Sequence, residues 1–252
     1  MNLPGQNSKE LRPETLLEIL QAEMSGGISN GIYHKLQVEF TYNSNHIEGS
    51  CLTAEQTRYI FETNTIGLLE YPLNVDDILE TANHFRCIDE VIKQAGEPLT
   101  EQFAKKLQQI LKTGTADSRR DWFAVGAYKQ LPNEVGGRPT TPPEQVAEEM
   151  RRLLQAYEAV PKNMKSLLDF HVRFERIHPF QDGNGRVGRL LLLKECLKYD
   201  IVPFIISDDI KLFYYRGLQE WDNEPGFLLD TCLSMQDRFK AYLDYFRIKY
   251  AD

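Results

Sequence analysis

The 252-residue chain carries 29 Lys+Arg against 37 Asp+Glu, a formal charge of −8, with 42% hydrophobic and 26% charged residues. That is an ordinary soluble composition, long enough to bury a substantial core, and its acidity excludes a nucleic-acid binder held by a broad basic face. No apolar run reaches the roughly 20 residues that span a bilayer, and the opening MNLPGQNSKEL lacks the basic-then-apolar order of a secretory leader, so the expected location is cytoplasmic, with no membrane and no nucleic acid as partner. Cys51, Cys87, Cys196 and Cys232 show neither CxxC nor metal spacing; each sits in a helix-like apolar context and reads as reduced and buried.

In chain order, a first helix is expected from Pro13, a favoured first-turn residue, to Gly26-Gly27. A second runs from Ile32 to Glu48 and stops at Gly49, where a left-handed cap fits. Thr53 with Gln56 three residues on is a capping box that opens a third. Asn74 or Asp76 caps a helix reaching Ala95 and ending at Gly96, and Thr100 caps the next, which ends near Gly114.

Residues 114 to 125 read as irregular. Tyr128 to Thr140, with Gly136-Gly137 at its centre, reads as a short hairpin or flap. Pro142-Pro143-Glu144 opens a helix with Val146, Met150, Leu153, Leu154 and Tyr157 near a 3.6 period. A helix from Lys162 to Ile177 places Leu167, Phe170, Phe174 and Ile177 on one face. Pro179 disfavours helical geometry at His178 and ends it there. A central helix follows, Asn184 to Tyr199, with the apolar run Leu190 to Leu193. Pro203 breaks the chain, Ser207 caps a helix through Trp221, and Phe227 to about Tyr250 forms the last. The fold class is all-α with one small β-hairpin flap, without internal repeat or linker.

The chemistry is concentrated in His178-Pro179-Phe180-Gln181-Asp182-Gly183-Asn184-Gly185-Arg186-Val187-Gly188-Arg189. A loop feeding a buried helix N-terminus presents free N–H groups and a positive dipole end, which attract anions. Two arginines in that first turn oppose the dipole unless an anion is shared, so the stretch asks for a phosphate ligand. Gly183 to Gly188 formally satisfies GxGxxG, but no hydrophobic strand precedes it and nothing around it is βαβ-like, which rules out a dinucleotide fingerprint. There is no GxxxxGK(S/T) loop, HExxH or GxSxG elbow.

The stretch resembles the signature of the Fic family, H-x-F-x-D/E-G-N-G-R-x-x-R, at every defined position. Phe170-His171, Phe174 and Leu190 to Leu193 are also similar to that family, and the resemblance extends from about Leu99 to Tyr245. It implies an N-terminal helical region, 1–97, and a Fic domain, 98–246. It also implies transfer of AMP from ATP to a protein hydroxyl with release of pyrophosphate. A branch that transfers a single phosphate has Lys where this chain has Gly185, which favours nucleotidyl transfer.

The residues suit that chemistry. His178, with an unperturbed pKa near 6.5, is placed to take the proton of a Ser, Thr or Tyr hydroxyl. Asp182 is a hard oxygen ligand for a Mg²⁺ on the α- and β-phosphates, or else a cap for the helix after it. Gly183 and Gly185 allow the backbone to approach phosphate, Asn184 and Arg186 contact phosphate oxygens, and Arg189, one turn on, reaches the outermost phosphate. Phe180 reads as a core anchor.

Upstream, Ser44-Asn45-His46-Ile47-Glu48-Gly49 resembles the family's inhibitory pattern, S/T-x-x-x-E-G/N. The resemblance implies that Glu48 pairs with Arg189 and blocks the outer phosphate; Ser44 shares its helix face. The flap 128–140 would align a target protein by strand addition beside His178, with Lys129 where relatives often have Arg. Tyr214-Tyr215 and Asn223 are similar to adenine-pocket residues of the family. A hydrolase removing AMP in the same site, with Glu48 orienting water, and a non-catalytic nucleotide sensor are the alternatives. Homodimerisation is left open. His34, His46, His84 and His171 read as structural, since none has metal-ligand spacing.

Overall fold

The computed structural model describes residues 14–67 and 72–250. Ten α-helices run in order through them: α1 (Leu16–Gly26), α2 (Ile32–Ile47), α3 (Ala54–Thr63), α4 (Val75–Gln94), α5 (Glu101–Lys112), α6 (Pro143–Glu158), α7 (Met164–Ile177), α8 (Asn184–Lys198), α9 (Lys211–Glu220) and α10 (Gly226–Tyr245). Two 3₁₀ turns, Asp117–Arg119 and Asp208–Ile210, and one hairpin, β1 (Glu134–Val135) with β2 (Arg138–Pro139), complete the described elements.

Local chemistry explains most boundaries. Thr53 and Gln56 make both bonds of their capping box at α3, Asn74 accepts from Asp76 N at α4, and Thr100 from Phe103 N at α5. Two further capping boxes, Thr15 with Glu18 and Asn163 with Ser166, start α1 and α7. The expected start at Pro13 lies outside the described residues. At α9 the expectation fails. The Ser207 hydroxyl bonds to Asp209 and lies 3.6 Å from Met235 Sδ instead of capping, so a 3₁₀ turn intervenes and the α-helix starts only at Lys211. The last helix also stops at Tyr245, earlier than expected, with Arg247 in the left-handed region just beyond. The hairpin has the expected place and pairs Glu134 with Pro139 and Val135 with Arg138, turning through Gly136 (φ 58°) and Gly137 (φ 74°).

The core is built around α8. Every residue from Arg186 to Leu197 is buried, charged ones included, so the helix is enclosed on all sides. Helices α1, α2, α4, α5 and α7 pack on it, while α10 lies on α9 and α7. Lys194 is fully buried because its ammonium is used on Ala95 O (3.3 Å), Glu97 O (2.6 Å) and Glu195 Oε1 (3.1 Å), tying the α4–α5 connection to the central helix. Cys87, Cys196 and Cys232 are buried and free, but Cys51 is exposed in the loop before α3, where its N–H donates to Asp77. The apolar helical context expected of Cys51 is thus absent. No helix among the described residues is long and apolar enough to cross a membrane.

One glycine fixes the α9–α10 packing. A Cβ at Gly217 would lie 2.8 Å from both Cα and Cβ of Leu228, closer than packed atoms tolerate. Gly217→Ala should therefore lower stability by about 1–3 kcal/mol, although alanine is the better helix former by roughly 1 kcal/mol. A urea unfolding midpoint equal to or above wild type would show that α10 gives way freely.

Candidate active site

The motif occupies the turn from α7 to α8. Its first residue, His178, ends α7 in the left-handed region (φ 51°, ψ 62°), with its N–H on Phe174 O at 2.9 Å. A β-substituted residue rarely sits there, and the bulk of Pro179 contributes to forcing it. The imidazole Nδ1 lies 3.3 Å from Glu175 O. A carbonyl only accepts, so Nδ1 donates and the basic lone pair is left on Nε2. Burial lowers the His178 pKa, Glu175 O opposes that, and the Lys129 ammonium lowers it further; at neutral pH the ring is a neutral base.

After His178 the loop is braced by its own amide. Asn184 Oδ1 accepts from Phe180 N and its Nδ2 donates to Phe180 O, both at 2.8 Å. Asn184 thus braces the loop's shape, with one of its two Nδ2 hydrogens beyond those bonds. Phe180 is fully buried, as expected of an anchor. Gly183 turns the chain into α8 at φ 83°, and no side chain caps that helix. Its first-turn N–H groups keep their capacity for an anion. Asp182 does not cap either; its carboxylate meets Lys112 Nζ at 2.5 Å and Arg186 Nη2 at 3.4 Å. Burial would raise the Asp182 pKa, but Arg186 and then Lys112 hold it at about 2.

The two arginines face different helices. Arg186 pairs with Glu80 of α4 and, more loosely, with Asp182. Arg189 reaches back 141 residues, donating from Nη2 to Glu48 Oε1 (2.7 Å) and Ser44 O (2.9 Å), and from Nε to Ser44 Oγ (3.0 Å). Glu48 is the C-cap of α2 and sits so close to Gly185 that any Cβ there would strike its carboxylate. Ser44, Glu48, Gly185 and Arg189 therefore lie together, and the Glu48–Arg189 pair within them is the contact that the resemblance implied.

The aromatic pair divides. Tyr214 is buried, its hydroxyl 2.5 Å from His171 Nε2, so it belongs to the packing behind Arg189 and not to an open pocket wall. Tyr215 is half exposed, with its hydroxyl donating to Ile47 O at 3.4 Å, at the edge of the Glu48 assembly. Asn223 is exposed at the end of α9 and bonds locally to Glu220. The flap is fastened to the motif: Lys129 N donates to Pro179 O (2.9 Å), Leu131 N to Gln181 Oε1 (3.2 Å) and Asn133 Nδ2 to Phe180 O (3.0 Å). Lys129 is buried with its ammonium on Asn133 Oδ1, Thr140 Oγ1 and Ile177 O, and burial lowers its pKa to about 8.

Four partners were not legible in the sequence: Glu80, Lys112, Glu175 and Gln108. Gln108 receives Gly126 N and donates to Asp182 O at 3.5 Å, joining α5 to the loop. The Glu175 side chain, 13% exposed, lies beside His171, its Oε1 4.0 Å from Nε2 and without a hydrogen-bond partner among the described residues. Among the described residues no three His, Cys, Asp or Glu side chains cluster to hold a metal. Asp182 alone, ionised and with its side chain 48% exposed, still suits Mg²⁺, which habitually takes one or two carboxylates and completes its shell with phosphate oxygens and water.

Burial raises the Glu175 pKa to about 8, with Glu48 adding to that and Arg189 opposing it. The folded state thus keeps a proton that the unfolded chain loses above the ordinary value of about 4.3. Stability must fall as pH climbs from there to about 8. Glu175→Gln should gain stability over wild type progressively across that interval, read from urea midpoints at several pH values. A gap that does not change with pH would contradict a protonated Glu175.

The family model described as Fic/DOC family matches residues 98–196, which include the motif but not Ser44 or Glu48. A protein adenylyltransferase Fic from Drosophila grimshawi is 28% identical over 190 residues, 71% of this chain and 36% of that protein. One from Nematostella vectensis is 25% identical over 184 residues, 71% of this chain and 42% of that protein. The chain thus spans only about two-fifths of these curated relatives. A Fic domain containing signaling protein from Bacteroides thetaiotaomicron superposes with TM-score 0.67 at 26% identity, covering 91% of this chain and 90% of that one. Fic-1 from C. elegans shares the fold, with TM-score 0.68 at 18% identity over 90% of this chain and 69% of that one. Motif, helical fold and relatives agree: residues 98–196 carry the Fic/DOC family match, and the fold around them is shared with Fic domain proteins.

Proposed function

We propose that the protein is an autoinhibited protein adenylyltransferase, transferring AMP from ATP to a Ser, Thr or Tyr hydroxyl of a target protein or of itself. The observation that carries this is the neutral His178 standing one turn of loop from an uncapped helix N-terminus whose outer arginine is held by Glu48. In this reading residues 1–97 supply the lock and 98–246 the catalytic domain.

His178 Nε2 takes the proton of the target hydroxyl as its oxygen attacks the α-phosphorus, and the bond to the pyrophosphate oxygen breaks with its electron pair. Gly183, Gly185 and the first-turn N–H groups receive phosphate oxygens, Arg186 and Arg189 the outer ones. Asp182 would hold Mg²⁺, which neutralises phosphate charge when bound. Asn184 shapes this cradle through Phe180, and its second Nδ2 hydrogen would be the one to meet a phosphate oxygen. Tyr215 is the better of the two tyrosines for an adenine wall, because Tyr214 is committed to the core. The flap, tied to the motif at Pro179, Phe180 and Gln181, would present the target segment to His178.

With Glu48 on Arg189, the outer phosphate has no counter-charge and meets a carboxylate instead, which disfavours productive ATP binding. The same placement favours the reverse reaction as a second reading: Glu48 lies against Gly185, where its carboxylate could orient water for hydrolytic removal of AMP.

Incubation with labelled ATP and Mg²⁺ tests both. Glu48→Gly should label protein at least about tenfold more than wild type, the effect of roughly 1.4 kcal/mol on binding, and Glu48→Gly with His178→Ala should not label. Equal labelling of wild type and Glu48→Gly would remove the inhibitory role. AMP release from a modified target that depends on Glu48 would support the hydrolase.

A further inference from the structure

Beside the phosphate cradle four charges form a closed cluster, two of which, Lys112 and Glu80, have no part in the reaction scheme. Lys112, the last residue of α5, is only 3% exposed, and its ammonium is shared between Glu80 Oε1 and Asp182 Oδ2, the latter at 2.5 Å. Glu80 gives its other oxygen to Arg186 Nη1, and Arg186 Nη2 returns to Asp182 at 3.4 Å. Two cations and two anions therefore cancel across elements 32, 70 and 106 residues apart. The frame is stiff: Asn83, one turn beyond Glu80 on α4, donates to Leu111 O (3.1 Å) and Thr113 O (2.8 Å), fixing the end of α5 on either side of Lys112. Arg186 Nε is buried without a partner among the described residues, a donor that the cluster itself leaves unsatisfied.

We propose that Lys112 is a resident counter-ion of Asp182 that competes with a divalent cation, and that Glu80 is the carboxylate that takes Lys112 and Arg186 when the cation arrives. This inference rests on the adenylyltransferase reading, since it assigns positioning residues to that site. Lys112 and Arg186 both lie on Asp182 Oδ2, so a divalent ion on the same carboxylate would stand next to two cations that repel it. Glu80 already touches the ammonium, so Lys112 can be retained by Glu80 without leaving a buried charge unpaired. In the absence of the divalent ion, Lys112 remains near the cradle as positive charge for phosphate. Lys112 and Glu80 thus have opposite effects on how strongly the divalent ion enhances nucleotide binding.

The test is calorimetric binding of ATP to the full chain carrying Glu48→Gly and His178→Ala, so that the site is open and nothing turns over. The quantity read is the ratio of Kd in EDTA to Kd in Mg²⁺. Lys112→Met should raise the ratio at least about fivefold, because ATP alone loses a cation while Mg²⁺ loses a competitor; fivefold corresponds to about 1 kcal/mol. Glu80→Gln, which keeps the shape and removes the charge, should lower it by a similar factor, because Lys112 then depends on Asp182 alone and Arg186 is released to phosphate. Lys112→Arg should stay within about twofold of the parent. A shared structural defect would shift both Kd values and leave the ratio alone, so ratios that move together or stay put overturn the proposal. Should Lys112→Met not fold, as seen by circular dichroism, Glu80→Gln alone decides, and an unchanged or higher ratio there overturns it. No ATP binding by the parent in either buffer would overturn the adenylyltransferase reading, and this inference with it.

Discussion

The constraint on which the rest depends is the placement of two guanidinium groups within the first turns of a helix that is buried on every side. Arg186 and Arg189 are 5% and 4% exposed, at the end of α8 where the helix dipole is positive. A cation in that position is costly unless an anion is fixed beside it. The fold supplies one for each, from different helices: Glu48 at the end of α2 for Arg189, and Glu80 within α4 for Arg186. Protein carboxylates thus occupy the anion positions that these guanidiniums demand, and under the proposed function the same ion pairs would set both the stability of the fold and the availability of the site.

The two pairs are not equivalent. Glu80 is 14% exposed and shares its charge with the buried Lys112, so removing it leaves charge unpaired on two elements at once. Glu48 is a C-cap residue with its side chain 33% exposed, held at the very point where α2 gives way to a glycine at φ 97°. Its loss leaves a single cation, Arg189, without its carboxylate. A releasable lock is better built from the second kind of residue than from the first. Ser44 completes the distinction, because it gives Arg189 a hydroxyl and a carbonyl that persist when the carboxylate is gone.

What was legible in the sequence follows from the range of each interaction. Capping at Thr53, Asn74 and Thr100 is local chemistry within three residues, and the structure forms those bonds. The end of α7 at His178 was equally readable, because Pro179 acts on its immediate neighbour. Ser207 misled because a hydroxyl that could cap has competing local partners, Asp209 and Met235. The Arg189–Glu48 pair came from a family pattern and not from spacing. Glu80 and Lys112 were invisible: each looks like one more charged residue on an amphipathic helix, and no periodicity links Glu80 to an arginine 106 residues later. Asn184 shows a subtler limit. The sequence indicates a polar side chain in a phosphate loop, but whether it faces the ligand or braces the loop depends on backbone groups only four residues away.

The origin of the counter-charges also bears on what counts as the functional unit. Residues 98–196 match the family and contain His178, Asp182 and both arginines, yet Glu48, which pairs with Arg189, and Glu80, the closer of the two carboxylates on Arg186, lie outside that stretch. So do much of the apolar surface against α8, supplied by α1, α2 and α4, and the carbonyls of Ala95 and Glu97 that satisfy Lys194. Cut at residue 98, the segment would expose α8 and leave Arg189 without Glu48, Arg186 with only the looser contact to Asp182, and Lys194 with only Glu195. Burial energy and ion pairing therefore act together to require the N-terminal helices. The region that carries Glu48 is also part of what packs against α8 and pairs its arginines, so the proposed lock and the frame of the site are one structural unit.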